Sequence, residues 1–262
     1  MSAGREVTVP LPVADKEWLR GFAGAFRGQE EAERYLYDFW ERVQVIVEWL
    51  ERVRKEGMRS VLELGAAPYL LTLLLKRHFD FDLRLANYFG DPTRNGPQEQ
   101  AVEGAGERHA FAFDHFNLEV DAFPYGDGSL DAVVFSEILE HLVVSADHPL
   151  SEMRRVLRPG GYLLVSTPNV ARLGNLVTLF KGRNINDGYS PYGVYGRHNR
   201  EYTLPEVVQA LERNGFEIAE RRLRNIYPHP LKTRVLQALR PGVWYEHIFV
   251  LARKPLTEAP RT

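Results

Sequence analysis

The stretch "VLELGAAPYLLTLLL" (Val61–Leu75) decides the class of the fold. It begins with a short apolar run of the length of a strand, and Gly65 ends that run. The apolar residues that follow Tyr69 continue for long enough to form a helix. A strand, a glycine turn and a helix in this order predict one βα unit of a layered α/β protein.

The same alternation continues along the chain. Further strands are predicted in residues 82–90, 108–119, 129–136, 162–169, 216–225 and 243–254. Helices are predicted between them, over residues 148–161 and over residues 203–216, the second capped by Thr203 with Pro205 early and Gly215 late. Strands that alternate with helices indicate a mainly parallel sheet covered by helices on both faces.

Two segments lie outside this rhythm. Residues 1–57 consist of a proline-containing arm and a helical pattern from Asp15 to about Glu56, and we expect them to form an N-terminal extension to a domain over residues 58–262. The apolar stripe of this extension fits either a cap over the active site or a homodimer contact. Residues 170–200 are too long for a simple βα connection, so they predict a substrate lid.

Composition excludes several classes of protein. The 262-residue chain has a net charge of −2, which does not favour nucleic acid as a partner. It contains no cysteine, and this excludes disulfides, thiolate metal sites and a cysteine nucleophile. The N-terminus has no apolar core of a signal peptide, and the longest apolar run is too short to span a bilayer. These features predict a cytoplasmic protein.

The stretch "SEILEHL" (Ser136–Leu142) follows a predicted strand and holds three side chains of catalytic or metal-binding type. If it is helical, as predicted here, the spacing of Glu137, Glu140 and His141 turns all three to one side. Such a cluster is typical of a metal or catalytic site, but also of the polar edge of a helix that packs on a sheet.

Four stretches taken together resemble the class I S-adenosylmethionine-dependent methyltransferases, over about residues 59–254. They are "VLELGAAPYL", "FPYGDGSLDAVVFSEILEHL", "EMRRVLRPGGYLLVSTPN" and "YTLPEVVQALERNGFEI". The resemblance implies a Rossmann-like, seven-stranded, mainly parallel sheet whose last strand is antiparallel. It also implies S-adenosylmethionine as the cofactor.

The family places its cofactor on a turn of the form acidic-x-Gly-x-Gly-x-Gly. In this chain the corresponding positions are Glu63, Gly65, Ala67 and Tyr69, with Ala66 inside the turn. The glycine allows a tight turn and a close approach of the backbone to the ligand. Alanine keeps the second position small, whereas Tyr69 places an aromatic ring at the third.

The resemblance also implies contacts farther along the chain. The end of the second strand normally supplies an acidic residue for the ribose hydroxyls, and here that position is Asn87. Asn117, Leu118 and Glu119 are the expected neighbours of the adenine, with Asp121 as the alternative acidic residue. In the family, Glu137 lies near the cofactor as well.

His198, in the stretch "GRHNREYT", adds a second imidazole to the cluster. Glu137, Glu140, His141 and His198 together offer oxygen and nitrogen donors suited to Mg²⁺, Mn²⁺ or Zn²⁺. This set resembles that of metal-dependent methyltransferases of small-RNA 3′ ends, and it is similar to one in ubiquinone-biosynthesis O-methyltransferases. Without a metal, His141 or His198 is the predicted general base, because a histidine titrates near neutral pH.

The function predicted from these residues is transfer of a methyl group, directed to oxygen, onto a small-molecule or sugar-containing acceptor. Two alternatives stay open. One is a metal-dependent RNA 2′-O-methyltransferase, and the other is a binding module that has kept the fold without catalysis.

Overall fold

The structure is a computed structural model that describes residues 10–24, 28–186, 188–190, 193–227, 235, 239 and 243–257. The predicted N-terminal arm therefore lies largely outside the described residues. The chain divides into two compact units, Met1–Asn117 and Leu118–Thr262. This division falls inside the range 58–262 that was predicted as one domain, and the predicted boundary at residue 57 stays a prediction.

The first unit opens with two helices, α1 (Val13–Ala23) and α2 (Gln29–Lys55), where the sequence predicted one helical stretch. Large apolar side chains recur at helical spacing along both and are buried, among them Leu19, Phe22, Leu36, Ile46, Trp49, Leu50 and Val53. Their burial, rather than helix propensity alone, stabilises these helices.

Four strands and one helix complete the first unit: β1 (Ser60–Leu64), α3 (Leu70–His78), β2 (Asp82–Asn87), β3 (Gly96–Gly104) and β4 (Glu107–His115). The strand order is β3-β4-β2-β1, with β1 and β4 parallel to β2 and with β3 antiparallel to β4. Strand β3 was not predicted, because its sequence is polar and little of it is buried. It is the additional strand that brings the number of strands among the described residues to eight instead of seven.

The second unit contains strands β5 (Leu130–Ser136), β6 (Leu157–Pro168), β7 (Glu217–Arg224) and β8 (His247–Arg253) in the order β5-β6-β8-β7. The helices in the described part of this unit are α4 (Asp147–Val156), α5 (Leu173–Phe180) and α6 (Leu204–Arg213). Strands β5 and β6 are parallel, whereas β8 runs antiparallel to both of its neighbours. The α/β class and the antiparallel last strand are confirmed.

Helix α6 begins as the sequence predicted. The side chain of Thr203 and that of Glu206 form a reciprocal capping box, and Gly215 follows the helix with a positive φ of 79°. Within the described residues, no helix has the length and apolar character needed to cross a bilayer.

Candidate active site

The segment after β5 is not the helix that the sequence predicted. Glu137 adopts a left-handed backbone conformation with a φ of 55°, and only a short 3₁₀ turn follows, from Leu139 to His141. A left-handed residue cannot continue a right-handed helix, so the chain turns sharply at the end of the strand. The side chains of this segment are therefore placed by the turn and not by helical spacing.

The Glu137 carboxylate lies at the centre of a small polar network. Ser166 donates to its Oε1 atom at 2.6 Å, and the Nε2 atom of His247 lies 3.2 Å from its Oε2 atom. His247 is 7% exposed, and its Nδ1 atom is buried without a hydrogen-bond partner. His247 was not predicted as a site residue, because nothing in the local sequence distinguishes it from the other residues of β8, which begins at His247.

Glu140 is almost completely buried, with 1% of its surface exposed. Thr167 donates to its Oε2 atom at 2.9 Å. Burial, and after it the nearby Glu137 carboxylate, raises the pKa of Glu140 above its ordinary value. The backbone carbonyl of Glu140 accepts hydrogen bonds from the N–H groups of Asn199 and Arg200, at 2.8 and 3.2 Å. These two bonds hold the segment that carries His198 against the 3₁₀ turn.

This fastening brings His198 to His141. Their ring centroids are 5.0 Å apart, and the side chain of Asn199 strengthens the contact by donating to the carbonyl of His141 at 2.9 Å. The Nδ1 atom of His141 lies 2.8 Å from the carbonyl of Arg197, which can only accept, so Nδ1 carries the proton. The Nε2 atom of His141 is then the basic one, and it lies 4.0 Å from the Glu140 carboxylate.

His198 is oriented by a second acid, Glu201. Its Nδ1 atom lies 3.1 Å from Oε1 of Glu201. The same carboxylate accepts two hydrogen bonds from the Arg172 guanidinium and one, at 3.1 Å, from Asn175. Burial alone raises the pKa of Glu201, but the bonds from His198 and Arg172 outweigh it and lower that pKa to about 2. Glu201 is thus ionised at neutral pH and favours the protonated form of His198.

Three of the four predicted metal ligands lie together. One ligand atom from each of Glu140, His141 and His198 lies within 4.8 Å of the others, and no other such group occurs in the parts of the chain that the structure describes. Two imidazoles and one carboxylate, each imidazole with its Nδ1 atom held by an acceptor, suit a divalent ion. Glu137 is not a member of this group, because its carboxylate is turned to Ser166 and His247.

The predicted cofactor turn follows β1 in the first unit. Gly65 has a positive φ of 64° and is exposed, so the turn presents backbone on its outer side. Tyr69 also has a positive φ, 68°, which explains why glycine is favoured at that position. Its ring is fully buried and stacks on Phe111 with centroids 4.9 Å apart. The ring therefore points into the core and leaves the outer side of the turn open.

Asn87 braces this turn. Its Oδ1 atom accepts from the N–H of Ala67 at 2.8 Å, and its Nδ2 atom donates to the hydroxyl of Tyr69 at 3.1 Å. Glu63 is buried and accepts from Thr72 at 2.7 Å, and burial raises its pKa to about 8. The turn is small, preorganised and followed directly by a helix N-terminus, so it fits an adenosine-containing cofactor.

The residues expected near the adenine are placed as follows. Asn117 ends the first unit and Leu118 begins the second, and each is half-buried. Glu119 is buried, and one carboxylate oxygen accepts from the N–H groups of Val143 and Val144, at 2.9 and 2.6 Å. The choice between Glu119 and Asp121 as the adenine contact stays a prediction.

Comparison with known proteins decides the family. A family model described as "Methyltransferase domain" matches residues 33–221. The chain belongs to this family. It is also 39% identical over 106 residues to a protein of Mycolicibacterium smegmatis named as a probable S-adenosylmethionine-dependent methyltransferase. That match covers 40% of this chain and 35% of the relative, so the chain spans about a third of that protein's length.

Solved methyltransferases share the fold. A methyltransferase of Archaeoglobus fulgidus, described as dependent on S-adenosylmethionine, superposes with a TM-score of 0.54 at 17% identity, over 84% of this chain and 99% of that one. The methyltransferase in a complex with the Haloferax volcanii Trm112 activator superposes with a TM-score of 0.52 at 15% identity, over 93% and 99%. By family the chain is a methyltransferase, and it shares the fold of these solved methyltransferases.

Proposed function

We propose that this methyltransferase acts on a hydroxyl group of a small-molecule or sugar-containing acceptor. The observation that carries the proposal is His198, whose Nδ1 atom is hydrogen-bonded to the ionised Glu201 and whose ring lies beside His141. A base that is oriented by a carboxylate is the aid that O-methylation needs, since the hydroxyl must lose its proton as the methyl group is transferred.

The proton movement follows from the hydrogen bonds. Nδ1 of His198 donates to Glu201, so Nε2 is the atom that accepts the hydroxyl proton, and the carboxylate then stabilises the imidazolium. His141, whose Nδ1 donates to the carbonyl of Arg197, offers its own Nε2 in the same way. Bound S-adenosylmethionine supplies an electrophilic methyl group, and the remaining task of the protein is to align it with the acceptor.

The cofactor would be held by the turn after β1. Gly65 offers exposed backbone, and the α3 N-terminus follows directly. Ala66 and Ala67 keep the turn small, and their N–H groups are held by the carbonyl of Ala86 and the side chain of Asn87. The hydroxyl of Thr72, in the first turn of α3, donates a hydrogen bond to the Glu63 carboxyl and so links β1 to this helix.

The acceptor class is suggested by the predicted lid, residues 170–200, and its continuation. Arg197 lies over the ring of the exposed Tyr189, with the guanidinium carbon 5.0 Å from the ring centroid, and Arg200 lies over Tyr202 at 4.9 Å. Tyrosine rings stack on sugars and other flat groups, while guanidinium groups bind hydroxyls and anions. Such side chains favour a sugar-containing or anionic metabolite as the acceptor.

The test is methyl transfer to candidate acceptors by His198→Ala and His141→Ala. We expect kcat to fall by about 10²- to 10⁴-fold for the residue that acts as the base. Binding of S-adenosylmethionine, measured by isothermal titration, should be unchanged. His148→Ala is the matched control, because the His148 ring binds the carbonyl of Asp121 and is not a member of the cluster. Full activity in both cluster variants would rule out this mechanism.

A second candidate is a metal-dependent reaction, including 2′-O-methylation of RNA. It is favoured by the group formed by Glu140, His141 and His198, which would hold the ion. The positive charge of the ion would stabilise the acceptor oxygen as it loses its proton. The test is activity after treatment with EDTA and after return of Mg²⁺, Mn²⁺ or Zn²⁺. Activity that persists in EDTA would exclude a metal-dependent reaction. RNA binding that does not weaken as salt rises would exclude RNA as the acceptor.

A chain that gives no heat signal and no thermal shift with S-adenosylmethionine would support the non-catalytic alternative. A cytoplasmic location fits the absence of cysteine, and fractionation of cells that express the chain would test it.

A further inference from the structure

Helix α5, at the start of the predicted lid, has its polarity reversed. In an ordinary surface helix the apolar side chains face the core and the polar ones face water. In α5 the buried side chain is Asn175, which donates to the carbonyl of Val170 and to Glu201. Leu173 is half-buried, and the other four large apolar side chains are exposed: Leu176 by 38%, Val177 by 43%, Leu179 by 52% and Phe180 by 94%. Exposed apolar clusters of this kind mark interaction surfaces.

Positive charge adjoins these side chains. Lys181 and Arg183 follow the helix directly, and both are exposed. The sequence has no aspartate or glutamate between Glu152 and Asp187, although the whole chain carries a net charge of −2. We therefore expect the partner of this surface to have an apolar region that contacts α5 and a negatively charged region beside it that contacts Lys181 and Arg183.

We propose that α5 docks the protein on an anionic lipid bilayer. The apolar side chains of α5 enter the boundary between headgroups and acyl chains, and Lys181 and Arg183 contact the lipid phosphates. A second copy of this chain fits less well, because the α5 segment of that copy has no carboxylate to offer to Lys181 and Arg183. An eight-residue helix also offers less area than a stable protein interface buries.

The docking helix is connected to the candidate base. Arg172, at the start of α5, and Asn175, inside it, both bind the Glu201 carboxylate that orients His198. A bilayer that holds α5 therefore holds the segment with His198 near the headgroups. The docking itself does not require the proposed methyl transfer, so the two can fail separately.

The experiment is co-sedimentation of the full chain with phosphatidylcholine vesicles, with and without phosphatidylglycerol. We expect binding to be at least about tenfold stronger to the vesicles that contain phosphatidylglycerol, and to weaken as salt rises. The double variant Val177→Asp/Phe180→Asp should lose about tenfold or more of this binding. The variant Lys181→Glu/Arg183→Glu should lose the preference for the anionic lipid.

Two controls accompany these variants. Val120→Asp places the same charge at another exposed valine, 62% exposed, and should bind vesicles like the unaltered protein. His198→Ala should also bind normally, whatever its methyl transfer. The proposal is wrong if the unaltered protein does not sediment with anionic vesicles, or if the α5 variants bind as well as it does. It is also wrong if light scattering shows that those variants abolish self-association and leave vesicle binding intact.

Discussion

Glu201 is the residue on which the arrangement of the candidate base depends. It follows His198 by three residues and hydrogen-bonds to that histidine. The same carboxylate binds Arg172 and Asn175, which lie at the start of the predicted lid. An ionised, half-buried carboxylate in this position fixes the tautomer of His198 as well as its orientation.

We expect Glu201→Gln to lower kcat by about tenfold or more with little change in KM for S-adenosylmethionine. Loss of the carboxylate lowers the pKa of His198, so the acidic limb of the pH–rate profile should move to lower pH. The measurement is kcat against pH, with the exposed Glu212→Gln on α6 as the control. A profile that does not move would show that Glu201 has only a structural role.

Glu63 gives a prediction about stability. Burial raises its folded-state pKa to about 8, far above the ordinary value of 4.5. The folded protein therefore holds this proton more tightly than the unfolded chain, so the stabilisation is complete below about pH 4.5 and is lost as the pH rises through 8. Each unit of pKa difference corresponds to about 1.4 kcal/mol, so a loss on the order of 2–4 kcal/mol is expected by pH 9.

The comparison is between the unaltered protein and Glu63→Gln, which is neutral at every pH and can still accept from Thr72. Thermal melting should give similar midpoints at pH 5, whereas at pH 9 the variant should melt several degrees higher. Equal midpoints at pH 9 would mean that Glu63 is not held neutral in the folded protein.

At the scale of elements, helix α1 and the β3–β4 hairpin approach one another through two glycines. A Cβ atom on Gly21 would lie 2.6 Å from the backbone nitrogen of Ala105, and one on Gly104 would lie 2.4 Å from the carbonyl oxygen of Gly21. Both distances are shorter than atoms tolerate, so only glycine allows this contact. The unpredicted strand β3 is thus tied to the N-terminal extension.

We expect Gly21→Ala to destabilise the protein by about 1–3 kcal/mol, although alanine is the better helix former by about 1 kcal/mol. Gly24→Ala, at the end of the same helix, should be neutral or stabilising, because nothing lies within 4 Å of its Cβ position. The measurement is unfolding by urea. Equal stability of the two variants would mean that the close approach does not exist.

At the scale of the whole molecule, burial bears on the homodimer that the sequence left open. Among the described side chains of α1 and α2, the large apolar residue that is exposed is Val13, and the others are buried or half-buried. We therefore expect light scattering in the absence of lipid to give the mass of one chain, 30.1 kDa. A mass of twice that value, lost on changing Val13 to serine, would restore the dimer through the N-terminal helices.

The sequence by itself determined the class of fold, the methyltransferase family and the order of most elements. These properties are local: a strand ending at Gly65, the capping box of Thr203 and the apolar runs of β5, β6 and β8 are each written in adjacent residues. The candidates His141 and His198 were also recognisable, because their residue type suits the chemistry.

Only the tertiary structure decided how the site residues meet. The left-handed Glu137 replaced the expected helix, and its carboxylate bonds to Ser166 and His247 instead of joining the group of Glu140, His141 and His198. Backbone hydrogen bonds from Asn199 and Arg200, about sixty residues away in sequence, brought His198 to His141, and Glu201 then oriented it. Contacts of this kind join groups that are distant in the chain, so no local pattern of residues can specify them.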